Sequence, residues 1–134
     1  MKVQEFMTTR IEFINADGSV YEVIEKMVDK RIRSLLVKLS EKDNDYGVIT
    51  ARDVVFKVMA KSIDPKNVKA REIASNPLVY IDQDMDFNEA ATLMKKANIS
   101  RLIVCDDKKI VGVVAMMDVM SAALIKRARR DYDL

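Results

Sequence analysis

The sequence predicts a mixed α/β (α+β) protein made of tandem β-α-β-β-α repeats packed about a pseudo-twofold axis. Three observations carry that expectation. The chain matches itself once at a nearly constant offset, and each half runs through the same order of apolar periodicities. Half of a 134-residue chain is also small for an independent core, so two related halves gain by packing together.

At an offset of 67, Ile14 falls on Ile81, Asp17 on Asp84, Glu22 on Glu89 and Met27 on Met94. Ile32, Leu35 and Val37 then fall on Ile99, Leu102 and Val104. The offset becomes 65 for Gly47, Val48, Asp53 and Val54, which match Gly112, Val113, Asp118 and Val119. The two-residue difference sits in a charged hairpin loop, where length changes are tolerated.

Each copy opens with a short extended piece, residues 11–14 and 78–81. An amphipathic helix follows, with Val20, Val23, Ile24, Met27 and Val28 at helical spacing in the first copy and Phe87, Ala90, Ala91 and Met94 in the second. Ser19 with Glu22 and Asp86 with Glu89 have the spacing of capping boxes. Two β-branched, apolar strands come next, residues 34–39 and 46–49, then 101–105 and 110–115, each pair split by a polar loop. A second helix closes each copy, over about residues 51–61 and 116–130. The organisation expected is therefore repeat one at 1–62, a polar linker with Pro65 at 63–69, repeat two at 70–125 and a basic tail at 126–134. Both repeats are expected to form one globular module.

Composition narrows the function. Lys and Arg total 23 against 21 Asp and Glu, a formal net charge of +2 that lacks the basic field expected of wholesale nucleic-acid binding. Histidine is absent, which removes the usual general base and the commonest metal ligand. The single cysteine, Cys105, can form neither an internal disulfide nor a zinc-binding cluster. With three glycines there is no glycine-rich phosphate loop. No catalytic residue, catalytic cofactor or metal site is expected. No apolar run suits a signal peptide or a membrane span, so a cytoplasmic setting without membrane contact is the default expectation.

The most informative string is Gly47-Val48-Ile49-Thr50-Ala51-Arg52-Asp53-Val54, where a strand runs into a helix. The Thr50 hydroxyl and the N–H groups of the first helical turn could hold a phosphate. Asp53 offers two acceptor oxygens suited to a ribose cis-diol, and Arg52 adds a donor fork at the same edge. The same spacing is also a capping arrangement, which taken alone accounts for Thr50 and Asp53 better than ligand binding does. In the second copy the string is Gly112-Val113-Val114-Ala115-Met116-Met117-Asp118-Val119. Alanine there leaves Asp118 without a hydroxyl partner, so reciprocal capping is not its whole purpose, although a helix-dipole contact also accounts for it.

These residues resemble the CBS-domain family, whose paired form is called a Bateman module. The resemblance spans all but the last dozen residues. It rests on the element order, the Phe6–Thr9 opening, Ile32-Arg33-Ser34-Leu35, Ile99-Ser100-Arg101-Leu102 and above all the two motifs ending at Asp53 and Asp118. It implies a regulatory module that binds an adenosine-containing ligand (AMP, ADP, ATP or, ranked lower, S-adenosylmethionine) in two composite clefts and modulates an unidentified partner. By resemblance, the first cleft would place Asp53 on ribose and Thr50 on phosphate, with Arg52 at its edge. Leu78, Val79 and Ile99 would line adenine beside Ser100, with Arg101 and Arg33 near phosphate. Each of these also has an ordinary reading, as strand core or as a solvated edge charge. The second, weaker cleft would use Asp118, Met117, Ile11 and Ile32, with Arg33 again near by. Replacement of the hydroxyl residue by Ala115 implies weaker nucleotide binding there, or a ligand without phosphates.

Lys126, Arg127, Arg129 and Arg130 cluster in the last helix. A solvated face complementing the helix dipole accounts for them better than nucleic acid does. Apolar residues on the second helices (Val55, Val58, Met59, Met120, Ala123 and Leu124) suit a homodimer face of the kind the family forms. The competing function classes are a dimerising scaffold with vestigial clefts and a nucleic-acid binder acting through the C-terminal basic helix.

Overall fold

The computed structural model describes residues 1–134 except 43–44, 76–77 and 133–134, so Asp133 of the expected tail lies outside the described residues. Two three-stranded sheets form. In the first, β1 (Phe13–Asn15) runs parallel to β2 (Ser34–Lys38), which pairs antiparallel with β3 (Tyr46–Thr50). The second repeats this with β4 (Tyr80–Asp82), β5 (Arg101–Asp106) and β6 (Lys109–Ala115). A parallel neighbour requires a crossover, supplied by α1 (Val20–Lys30) and, in the second sheet, by α4 (Phe87–Ala97). The opening strands thus start two residues later than the sequence suggested.

The crossover helices start and stop for legible reasons. The Ser19 side chain accepts the N–H of Glu22 at 3.1 Å, while Asp86 takes that of Asn88 at 3.0 Å rather than that of Glu89. Each helix ends on a left-handed residue at the equivalent position, Arg31 (φ 54°) and Asn98 (φ 53°). α1 buries Val20, Val23 and Met27, but Val28 stays 69% exposed, so the apolar stripe is narrower than its spacing indicated.

The closing helices differ from each other. α2 spans Ala51–Lys57 and gives way at Val58 (φ −122°, ψ −62°) to a tight turn over Met59–Lys61, instead of running to residue 61. β-Branched Val54, Val55 and Val58 weaken helical backbone, and Val58 is held fully buried in the core, which ends the helix. α5 runs from Met116 to Tyr132. The linker is not loose. Asp64 caps a turn at Pro65–Asn67, and Val68 and Ala70 bond to Val20 and Gly18 at the start of α1.

Two compact units result, one of Glu12–Leu78 and one of Met1–Ile11 with Val79–Leu134. They cut across the linear repeats, because each repeat's opening segment packs in the other unit. The short helix α3 (Ala70–Ile73) inserts Ala70 and Ile73 into the core of Val20, Val23, Leu35, Val37, Ile49 and Val58. Val3, fully buried, joins Ile81, Met94, Leu102, Val104 and Val114. Burial of one such valine stabilises by about 1.5–3 kcal/mol.

The motif glycines mark where these segments cross. Ser75 pairs with Val48 and Thr8 with Val113, both through reciprocal backbone bonds of 2.9–3.0 Å. A β-carbon on Gly47 would stand 2.9 Å from the Ala74 Cβ, and one on Gly112 would stand 2.5 Å from the Met7 sulfur. Glycine at the head of each motif therefore admits a neighbouring segment.

Candidate functional site

Both strand-to-helix junctions form, and each fixes its aspartate differently. At the first, β3 passes directly into α2 with Thr50 as N-cap. The Thr50 N–H and hydroxyl donate to Asp53 Oδ2 at 2.8 and 3.0 Å, and the Asp53 N–H donates to the Thr50 Oγ1 at 3.2 Å. That is a complete capping box. Lys57 Nζ lies 3.1 Å from Asp53 Oδ1 and also donates to the Ile73 carbonyl at 3.0 Å, tying α2 to α3. The Asp53 side chain is 14% exposed, and its neighbours are a hydroxyl and an ammonium. Of the first-turn N–H groups, that of Ala51 is donated to the Arg33 carbonyl and that of Asp53 to Thr50. Arg52 lays its guanidinium 4.4 Å over the centre of the Phe56 ring, so its fork is positioned by a cation–π contact.

At the second junction β6 passes into α5. The Ala115 N–H donates to Asp118 Oδ2 at 2.8 Å, as Thr50 does for Asp53. Asp118 is not without a hydroxyl, contrary to the sequence reading. Thr8, in the N-terminal segment, donates its hydroxyl to Asp118 Oδ1 at 2.9 Å. The lysine position of the first junction is taken here by buried Ala122. The same N-terminal segment is anchored by Glu5, whose carboxylate lies 2.9 Å from Arg129 of α5. The Lys2 backbone N–H and then the Arg129 guanidinium hold the Glu5 carboxyl below the ordinary glutamate range.

The other expected site residues divide between the units. Arg33, exposed, and Leu78 and Ile32, half-buried, lie with Thr50 and Asp53 in the Glu12–Leu78 unit. Ser34 is paired with Thr50, which sets Arg33 beside the first junction. Ile32 packs against that unit's core. Val79, Ile99, Ser100 and Arg101 belong to the other unit, as do Ile11, Met117 and Asp118. There Val79 and Ile99 pack on the core, and Arg101 pairs with Ala115 across the β5–β6 ladder. Met117 is exposed, as are Met116 and Met120.

Sequence reasoning missed two partners. Lys57 could have been found, because it stands four residues after Asp53 on a helix, the spacing at which opposite charges meet. Thr8 had a fainter signal: the Phe6–Thr9 opening aligns with residues 73–76, but only the crossing of the segments brings it to Asp118. In the last helix, Lys126 Nζ sits 5.0 Å over the Phe87 ring and Arg129 pairs with Glu5, so two of the four clustered cations serve the unit's own packing. Among the described residues no group of three or more Cys, Asp or Glu side chains is placed to hold a metal. Among the described residues no helix is long and apolar enough to cross a membrane.

Two mixed sheets with crossing helices, each closed by a glycine-containing strand and an aspartate in the first turn of the next helix, define a paired repeat module. The CBS-domain model matches residues 3–60 and 70–125, and the chain belongs to the CBS-domain family. CBS-domain pairs are typically non-catalytic regulatory modules, and the fold here is consistent with ligand sensing.

An uncharacterized protein of Methanopyrus kandleri is 40% identical over 100 residues, 74% of this chain and 50% of that protein. Another, from Methanocaldococcus jannaschii, is 32% identical over 111 residues, 82% of this chain and 60% of its own. The chain thus spans about half of the length of the curated relatives it matches. Among solved structures, a hexameric CBS-CP12 protein from bloom-forming cyanobacteria superposes with a TM-score of 0.80 at 30% identity, covering 90% of this chain and 69% of that one.

Proposed function

We propose that this module binds an adenine nucleotide at the junction built on Asp53 and transmits its occupancy to a partner protein. The observation that carries the reading is the Thr50–Asp53–Lys57 constellation. It joins a carboxylate that can accept a ribose diol to a hydroxyl and an ammonium that can face a phosphate. Rotation of the Thr50 hydroxyl away from Asp53 frees an acceptor site on Oδ2 and turns the hydroxyl toward an incoming ligand. Arg52 and Arg33 are the proposed polar contacts at this junction, and Leu78 the proposed apolar one. AMP, ADP and ATP rank ahead of S-adenosylmethionine because the constellation presents an ammonium. Asp118, with Met117 and Ile11 of the same unit, is the proposed weaker site. The setting proposed is cytoplasmic.

Binding acts as a switch only where the ligand favours one arrangement of the module over another. Calorimetric titration of the chain with AMP, ADP, ATP and S-adenosylmethionine tests the reading. Saturable heat with at least one nucleotide supports it. No heat with any of the four, and no rise in melting temperature, sinks it.

A homodimer is the second proposal, favoured by exposed Val55, Phe56 and Met59 in one unit and Met116, Met117, Met120 and Leu124 along α5 in the other. Light scattering that finds only monomer at micromolar concentration would dismiss it. Val58, which the sequence placed on this face, follows the end of α2, is buried and takes no part.

A further inference from the structure

We propose that residues 1–11 form a latch on Asp118, with the Thr8 hydroxyl holding the carboxylate oxygen that a ligand hydroxyl needs. The inference rests on the nucleotide-binding reading only for the chemistry of the ligand, a neutral ribose diol.

Asp118 has two oxygens. Oδ2 accepts the Ala115 N–H at 2.8 Å, a bond that caps the start of α5. Oδ1 accepts the Thr8 hydroxyl at 2.9 Å. A diol reaching Asp118 exchanges one hydroxyl for another, which is close to neutral in hydrogen-bond energy, so the handicap is the disturbance of the segment that carries Thr8. That segment is held elsewhere too, among other contacts by the reciprocal Thr8–Val113 backbone pair, the Glu5–Arg129 ion pair at 2.9 Å, the Val3 N–H donated to the Met85 carbonyl at 2.8 Å, and fully buried Val3.

The first junction is wired differently. Asp53 takes its hydroxyl from Thr50 of its own motif and its cation from Lys57, both local to β3 and α2. A ligand at Asp53 therefore displaces a hydroxyl of the same motif, whereas one at Asp118 displaces a hydroxyl carried by the N-terminal segment and so removes one of its anchors. Replacement of the motif hydroxyl by Ala115 is what hands this role to Thr8. Thr8 is a positioning residue whose hydroxyl competes with a ligand hydroxyl for Asp118 Oδ1, so occupancy removes one anchor of the N-terminal segment.

The test uses the full chain carrying Asp53→Ala, which silences the first junction, titrated with adenosine and followed by hydrogen–deuterium exchange. Adding Thr8→Val should tighten adenosine binding about fivefold, whereas Thr8→Ser, which keeps the hydroxyl, should bind as the parent does. Adenosine should also speed exchange of the amides of residues 1–11 in the parent. Weaker or unchanged binding in Thr8→Val overturns the latch, as does added protection of residues 1–11 by adenosine. Failure of either protein to bind adenosine overturns it too. AMP binding by the wild-type chain is read separately and decides the Asp53 proposal alone.

Discussion

Gly47 and Ala74 approach so closely that a β-carbon on the glycine would stand 2.9 Å from the alanine methyl and 3.1 Å from the Ser75 carbonyl oxygen. Neither neighbour can swing aside. At the equivalent Gly112 the closest atom is the Met7 sulfur, on a flexible side chain. Gly47→Ala is expected to lower stability by about 1–3 kcal/mol and Gly112→Ala by distinctly less. Urea denaturation of the two variants checks the ranking; equal losses would contradict it.

The nucleotide proposal ranks the two motif aspartates. Asp53→Ala should weaken AMP binding at least about tenfold, the effect of removing a hydrogen bond to a charged group, while Asp118→Ala should change it little. Calorimetry on both variants provides the comparison. Equal losses would show that the ordering of the two junctions is wrong.

Arg31 holds a left-handed backbone that costs a side-chain-bearing residue roughly 1 kcal/mol, and Asn98 at the equivalent place tolerates it better. Arg31→Gly is expected to raise the melting temperature, and Asn98→Gly to raise it less or not at all. A fall with Arg31→Gly would mean that the side chain contributes more than its backbone strain costs.

Acid should weaken both units. The Lys30 ammonium holds Glu12, the Arg71 guanidinium holds Asp17, and the Asn88 N–H holds Asp86 below their ordinary values, as the Lys2 N–H does Glu5. A depressed carboxyl contributes stability that is present above its unfolded value and is lost as pH falls through its folded one. Melting temperature should therefore be flat near neutrality and decline from about pH 5 downward. Raising salt should shrink the decline, since these groups sit at the surface.

Burial, reinforced by the neighbouring Asp82 charge, pushes the Cys105 thiol up. The native chain should react slowly with a thiol reagent at pH 7, and fast once unfolded in urea. Rapid labelling of the native chain would place Cys105 at the surface.

How much of this was legible in the sequence depends on whether the information was local. The repeat, the strand pairs and the crossover helices were, because apolar spacing and caps at Ser19 and Asp86 act within a few residues. The capping role of Thr50 was legible for the same reason. Val28 was not, since periodicity marks a face without saying how wide its neighbours make the contact. The end of α2 at Val58 was missed because burial of that one side chain overrode a continuous helical pattern. The partnership of Thr8 with Asp118 spans 110 positions and depends on which unit receives the opening segment. Nothing in the spacing of either residue encodes that choice.

The crossing of the opening segments also sets an order of events during synthesis. Glu12–Leu78 is one continuous stretch and has all its core residues once it leaves the ribosome. Val3 and Thr8 emerge earlier still, yet the strand and helix that receive them are translated some hundred residues later. Until then residues 1–11 must wait, their apolar side chains in water, for an acceptor that does not yet exist.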